Sequence, residues 1–239
     1  MPMTVATWNC AHGRGTGPDP RRLFARARRQ TLADIGATLA QHDVTVAALQ
    51  ELDGSSWWSG RFDHAHAVAT HGDFAHGVHG HHVQWAGLRY GTALLAREPL
   101  SEPHVGRFGS SAPTPRKGFV TARLVLDGRA LDVVSVHLDF ARAGVRKAQL
   151  EDLASHLATR RAPVVVMGDF NDEPTGPAVT AFRAQAGLHA DDDGAVTFPK
   201  LGKRLDAILV SSELQLTEQQ VLSLDLSDHR PVLARIAWA

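Results

Sequence analysis

The chain has a single cysteine, Cys10, in 239 residues. One thiol excludes an internal disulfide and any zinc cluster built on thiolates. Neither sign of charge prevails: Lys and Arg total 25, Asp and Glu total 25, and the formal net charge is zero. Proteins that grip nucleic acid by nonspecific attraction usually carry a basic excess. The balance argues against that class unless a local patch supplies the attraction. No apolar run approaches about 18 residues, and no N-terminal stretch has signal-peptide form. A monomeric cytoplasmic protein without stable membrane insertion is the expectation. No composition shift marks a linker and no repeat is visible, so residues 1–239 are read as one catalytic-size domain. The hydrophobic share of 44% supplies a sizeable core and excludes wholesale disorder.

What the chain does have is apolar, β-branched runs that end on polar residues capable of chemistry. Five of them close at Trp8-Asn9, Leu49-Gln50-Glu51, Val136-His137-Leu138-Asp139, Met167-Gly168-Asp169-Phe170-Asn171 and Leu226-Ser227-Asp228-His229. Around them, Thr4 to Trp8 reads as a strand, Arg21 to Gln41 as a helix and Val44 to Leu49 as a buried strand, a β–loop–α–β opening of a layered α/β fold. Trp85 to Ala96 resumes strand character, and 99–115 reads as a loop. Phe119 to Leu126 and Ala130 to His137 form a predicted hairpin, because Asp127-Gly128 is a tight-turn signal. Val145 to Arg161 is an amphipathic helix and Val164 to Met167 a short apolar strand. Pro177 to Ala186 is a helix with proline in its first turn. Leu205 to Val210, Leu214 to Leu222 and Pro231 to Trp238 complete the strands.

Acids, amides and histidines delivered at strand ends from across the chain point to one hydrolytic site with a divalent metal. Hydrolysis of a phosphoester needs a cation to offset phosphoryl charge, a water to be deprotonated and a leaving oxygen to be stabilised. Scattered single carboxylates suit Mg²⁺, which takes one or two of them and keeps several waters, better than a dense calcium loop would. Each residue also has an ordinary structural role open to it. Asn9 could cap a turn, Asp169 and Asn171 could form an Asx turn, Glu51 could be a surface acid, and His137 could be a core histidine.

Seven strings together resemble the endonuclease/exonuclease/phosphatase superfamily, the DNase I-like metal-dependent phosphoesterases. They are Thr7-Trp8-Asn9, Leu49-Gln50-Glu51, Gly91 to Arg97, Ser135-Val136-His137-Leu138, Gly168-Asp169-Phe170-Asn171, Arg204 to Val210 and Ser227-Asp228-His229-Arg230-Pro231. They occur in family order and span nearly the whole chain. The resemblance implies a four-layer α-β-β-α sandwich of two mixed sheets packed face to face. It implies Mg²⁺, with Mn²⁺ as a substitute, on Glu51, Asn9 and Asp228. It implies His229 as base or phosphate contact, oriented by Asp206, with Asp169 on the attacking water. Asn171 would bind a phosphoryl oxygen and His137 would stabilise the transition state. One departure stands out: some family nucleases carry an aspartate two residues after the first Asn, and here that position is Ala11, followed by His12.

The implied activity is metal-dependent hydrolysis of a phosphodiester or phosphomonoester in a small molecule or lipid headgroup. The alternatives are a nuclease acting on DNA or RNA and an inactive binding module on the same fold. A basic stretch, Arg21-Arg22 with Arg26, Arg28 and Arg29, reads as a solvated helix face or as a rim that attracts phosphates. Arg116, beside Lys117, is a candidate substrate contact. Seven histidines between His64 and His82 lack zinc-ligand spacing and read as a mobile polar loop near substrate. Trp57-Trp58 reads as a packing pair. Arg146 with Gln149-Leu150 resembles a helix start of the phosphodiesterase branch.

Overall fold

Long β-branched runs become inner strands when both of their faces are covered, and that is how this chain uses Val133-Val134 and Val164 to Val166. A computed structural model describes residues 2–17, 24–191 and 194–239. Its strands are β1 (Met3–Asn9), β2 (Val46–Asp53), β3 (His76–Trp85), β4 (Leu88–Ala96), β5 (Ser101–Arg107), β6 (Gly118–Leu126), β7 (Arg129–His137), β8 (Val164–Asp169), β9 (Leu188–His189), β10 (Asp206–Ser211), β11 (Leu214–Val221) and β12 (Val232–Trp238). Its helices are α1 (Ala25–Gln41), α2 (His64–Gly72), α3 (Ala143–Leu157) and α4 (Pro177–Ala186).

Two six-stranded mixed sheets result, ordered β11-β12-β1-β2-β4-β3 and β5-β6-β7-β8-β10-β9. Each has one parallel pair at its centre, β1 with β2 and β7 with β8, and antiparallel neighbours elsewhere. Between the sheets lies a core containing Val5, Val46, Leu94, Val133, Val165, Met167 and Ile236. The alternate strand residues face outward. Trp8 and Leu49 pack with Leu32, Ile35 and Leu39 of α1 and Val68 of α2. Val134 and Val166 pack with Leu150 and Leu153 of α3 and Phe182 of α4. Helix, sheet, sheet and helix form four layers. Among the described residues no helix is long and apolar enough to cross a membrane.

Three sequence expectations change. The histidine-rich stretch is not a loop: it is α2, capped by Asp63 accepting from the His66 N–H at 3.0 Å, followed by β3. Residues 101–107, read within a loop, form edge strand β5, where Pro103 is tolerated because an edge leaves donors unpaired. The first helix begins at Ala25, and Arg21-Arg22 lie outside the described residues. Further along the same stretch, Arg28 is buried: its guanidinium donates to the His12 carbonyl at 2.9 Å and lies over the Trp58 ring. Arg29 lies over Phe62.

Candidate active site

One row of backbone register carries most of the site. His137 on β7 pairs with Asp169 on β8, and Asp169 pairs with Asp206 on β10. Side chains in register on neighbouring strands share a sheet face, so the three meet at one end of the second sheet. Gly168 permits the close approach of β7 and β8. A Cβ there would lie 2.0 Å from the Val136 carbonyl oxygen. The first sheet contributes Asn9 from the end of β1 and Glu51 from β2. Glu51 sits at a bulge between Gln50 and Leu52, with φ of 54°. A left-handed non-glycine residue is strained and persists only where its surroundings hold it.

The loop before β12 brings His229 over this floor. Its Nδ1 lies 2.8 Å from Asp206 Oδ2 and its Nε2 3.8 Å from Asp169 Oδ2. The loop is tied down by Trp8 Nε1 donating to the His229 carbonyl at 2.9 Å and Ser227 Oγ donating to the Asn9 carbonyl at 2.6 Å. Asp169 accepts from Asn9 Nδ2 and from the Asn171 backbone N–H, both at 2.9 Å. The Asx turn at Asp169-Asn171 therefore exists, and its carboxylate also faces the cleft. Asn171 Nδ2 donates to the Leu138 carbonyl at 3.0 Å. Asp139 instead anchors a loop, accepting from the Ala141 and Arg142 N–H groups, while Gln149 Oε1 accepts from its own N–H.

Electrostatics separates the two histidines. Burial alone would depress the His229 imidazolium, but the Asp206 and Asp169 carboxylates and the Asp206 hydrogen bond lift it to about 10. Burial raises the Asp169 carboxyl to about 6; His229 opposes the rise and the Asp206 charge adds to it. His137 is held well below its ordinary value by burial and then by Lys117, so its imidazole is neutral and its 3.4 Å approach to Asp169 is no ion pair. Beside it, Lys117 Nζ lies 2.9 Å from His137 Nε2 and 4.0 Å from Glu51 Oε1; burial lowers its ammonium, and the Glu51, Asp169 and Asp139 carboxylates oppose that fall. Burial works against the Glu51 anion, yet His12, Lys117 and His229 hold its carboxyl below the usual range.

These groups line an open cleft of about 400 Å³ with Arg146, Lys203, Phe140, Phe198 and Leu201 at its walls. A hollow of about 370 Å³ between α2 and β3 shares none of these residues. Of the residues picked from sequence, Asn9, Glu51, His137, Asp169, Asn171 and His229 line the cleft, with Asp206 behind His229. Asp228 is exposed and outside that lining, because Ser227 and His229 on either side of it point inward. Arg116 is exposed as well, and its neighbour Lys117 takes the buried place. The start of β6 is buried on both faces, so its alternation carries no signal that selects Lys117 over Arg116.

The donor set fits a hard divalent cation. Glu51 supplies an ionised carboxylate and Asn9 an amide beside it in the cleft. Asp169, Asp206 and His229 also bring ligand atoms within 4.8 Å of one another. In that cluster His229 Nδ1 is committed to Asp206, and the raised imidazolium leaves less need for a second positive charge there.

Comparison with known proteins gives the same picture. A UPF0294 protein of Yersinia enterocolitica is 32% identical over 152 residues, covering 60% of this chain and 53% of its own length. A UPF0294 protein of Photorhabdus laumondii is 29% identical over 126 residues, covering 49% and 47%. The chain thus spans about half the length of the curated relatives it matches. Among solved structures, the human Nocturnin catalytic domain with bound sulfate superposes with a TM-score of 0.77 at 20% identity, covering 100% of this chain and 95% of that one. An endonuclease/exonuclease/phosphatase from Beutenbergia cavernae gives 0.77 at 19%, covering 100% and 72%. A mannosyl-6-phosphatase of Bacteroides thetaiotaomicron gives 0.74 at 14%, covering 99% and 100%. At these identities the structural likeness speaks for the fold. The profile of the Endonuclease/Exonuclease/phosphatase family matches residues 6–229, and the chain belongs to that family.

Proposed function

We propose that this protein is a divalent-metal-dependent hydrolase of phosphodiester or phosphomonoester bonds in small molecules, acting by in-line attack of water. The family consists generally of phosphoester hydrolases. The observation that carries the finer reading is the opposed pair at the cleft floor. Asp169 is placed to be an anion above about pH 6, and His229 a cation below about pH 10. A general base and a general acid whose ionisations are pushed apart are what hydrolysis near neutral pH requires.

In this reading Asp169 takes the proton of the attacking water, and Asn9 and the Asn171 N–H fix its carboxylate. His229 donates from Nε2 toward a phosphoryl or leaving oxygen, and Asp206 holds the ring in that orientation. Lys117 offsets phosphoryl charge beside neutral His137. Glu51 and Asn9 would hold Mg²⁺ or Mn²⁺, which when bound supplies Lewis-acid stabilisation of the phosphoryl oxygens.

The apolar wall of Phe140, Phe198 and Leu201 favours a substrate that carries an apolar or aromatic part. The nuclease reading loses one arginine of its basic rim, because Arg28 is buried against Trp58 and the His12 carbonyl. The test is turnover by purified protein of small phosphodiesters and phosphomonoesters, inositol phosphates, sphingomyelin, plasmid DNA and RNA, with Mg²⁺, Mn²⁺ or EDTA. Metal-dependent turnover of small phosphoesters, abolished in Glu51→Ala and His229→Ala, is the expected result. Turnover of nucleic acid alone, or none with either metal, would overturn it.

A further inference from the structure

The sequence departs from the family nucleases at Ala11-His12, and the backbone there is unusual. Ala11, His12 and Gly13 all have left-handed φ, at 44°, 55° and 70°. Two of these residues carry side chains, which this conformation disfavours. The turn is held by the Ala11 N–H donating to Asn9 Oδ1 at 3.0 Å, the Gly13 N–H donating to the Cys10 carbonyl at 2.8 Å, and Arg28 donating to the His12 carbonyl at 2.9 Å. It brings the His12 ring against the end of β2, wedged edge-on between Trp58 and Tyr90 at centroid distances of 4.8 and 5.1 Å. His12 Nδ1 lies 3.0 Å from Asp53 Oδ2, and its Nε2 lies 3.3 Å from Glu51 Oε2. Glu51 is itself left-handed, so two strained residues present their donor atoms to each other.

Asp53 is fully buried and also meets His64 Nδ1 at 3.5 Å. With the Asp53 carboxylate at Nδ1, Nε2 is the ring nitrogen aimed at the Glu51 carboxylate. At 3.3 Å a positive centre, a metal ion or a proton on Nε2, must sit between this nitrogen and the carboxylate oxygen. Metal–nitrogen and metal–oxygen bonds of about 2.0–2.2 Å place adjacent ligand atoms about 3.0–3.5 Å apart. A carboxylate on the far nitrogen of an imidazole is also the usual outer-shell partner of a ligating histidine.

We infer that His12 Nε2 is a ligand of the same divalent cation as Glu51, with Asp53 fixing its tautomer. The inference rests on the metal-dependent reading above. An imidazole donor moves a site's preference from Mg²⁺ toward Mn²⁺ and later transition metals. The rival is a protonated His12 bridging two carboxylates with no metal bond.

Pulsed electron paramagnetic resonance of Mn²⁺ added to the metal-stripped full chain separates the two. The expected result is nitrogen modulation from a directly bound imidazole in wild type, lost in His12→Gln. The Mn²⁺ dissociation constant should rise about 10–100-fold in His12→Gln and in Asp53→Asn, with a smaller change for Mg²⁺. The wild-type spectrum needs no variant and stands even where a variant folds poorly. Mn²⁺ that is lost in Glu51→Gln but shows the same nitrogen signal, or none, with and without His12 overturns the inference alone. Mn²⁺ binding unchanged in Glu51→Gln overturns the metal reading of the cleft and this inference with it.

Discussion

Replacing Asp206 with Asn tests the acid–base division at the cleft floor. The proposed mechanism requires Asp169 as the anion and His229 as the cation. The rate should therefore rise with pH through about 6 and fall through about 10. Asp206 is fully buried and only 2.8 Å from His229 Nδ1, so screening by water is slight. Asn keeps an acceptor for Nδ1–H but loses the carboxylate charge, the largest support of the imidazolium, and with it most of the about 1.5–3 kcal/mol of a charge-assisted hydrogen bond. That corresponds to about one to two pH units at about 1.36 kcal/mol per unit. The basic limb should thus fall to about pH 8–9 in Asp206→Asn. The acidic limb should move the same way, because the Asp206 charge helps to hold the Asp169 carboxyl up. The assay is the pH profile of kcat/KM at saturating Mg²⁺ on a diester without an ionising chromophore, its products separated by chromatography. Circular dichroism checks the fold at each pH. A basic limb that stays in place, or moves to higher pH, would refute the assignment of His229 as the acid held by Asp206.

Three further outcomes follow from the geometry. Lys117→Gln should lower kcat/KM about 100-fold, as loss of a preorganised charge donor does, while Arg116→Gln leaves it near wild type; initial rates on one substrate decide both. Asp132→Asn should cost about 3 kcal/mol of stability in a urea melt without changing kcat, since fully buried Asp132 is gripped by Arg123 and Arg160 at 2.8–3.2 Å, away from the cleft. Burial opposes the Asp132 anion, but the two arginines hold its carboxyl below its unfolded value, so this stability is present above about pH 4 and lost as the pH falls through the folded value. Gly168→Ala should unfold the protein at a lower temperature and reduce kcat together, because the new methyl meets the Val136 carbonyl and displaces Asp169.

The fold was legible where apolar runs have clear ends. Val164 to Asp169 is buried on both faces and reads directly as a strand, and Asp127-Gly128 turns left-handed as a hairpin requires. Legibility failed where small residues do packing work. Gly77 and Gly80 give β3 the look of a loop, yet a Cβ at Gly80 would meet Val120 at 2.6 Å, so the glycines serve close sheet contact. β5 is exposed along most of its length and shows no apolar alternation to read. In the site, residues at strand ends could be picked from their motifs, whereas His12 could not. Its place depends on a left-handed turn that no spacing announces.

The central parallel pairs have a consequence for how the protein fails. Asn9 ends one pair opposite Gln50, with Glu51 next along β2, and His137 and Asp169 end the other; these four strands are largely buried. Inner strands are the last parts of a domain to open, whereas loops open by local fluctuation. Heat should therefore spare the cleft floor and loosen first the loop between β11 and β12 that carries His229. Inactivation should then set in at a lower temperature than loss of secondary structure.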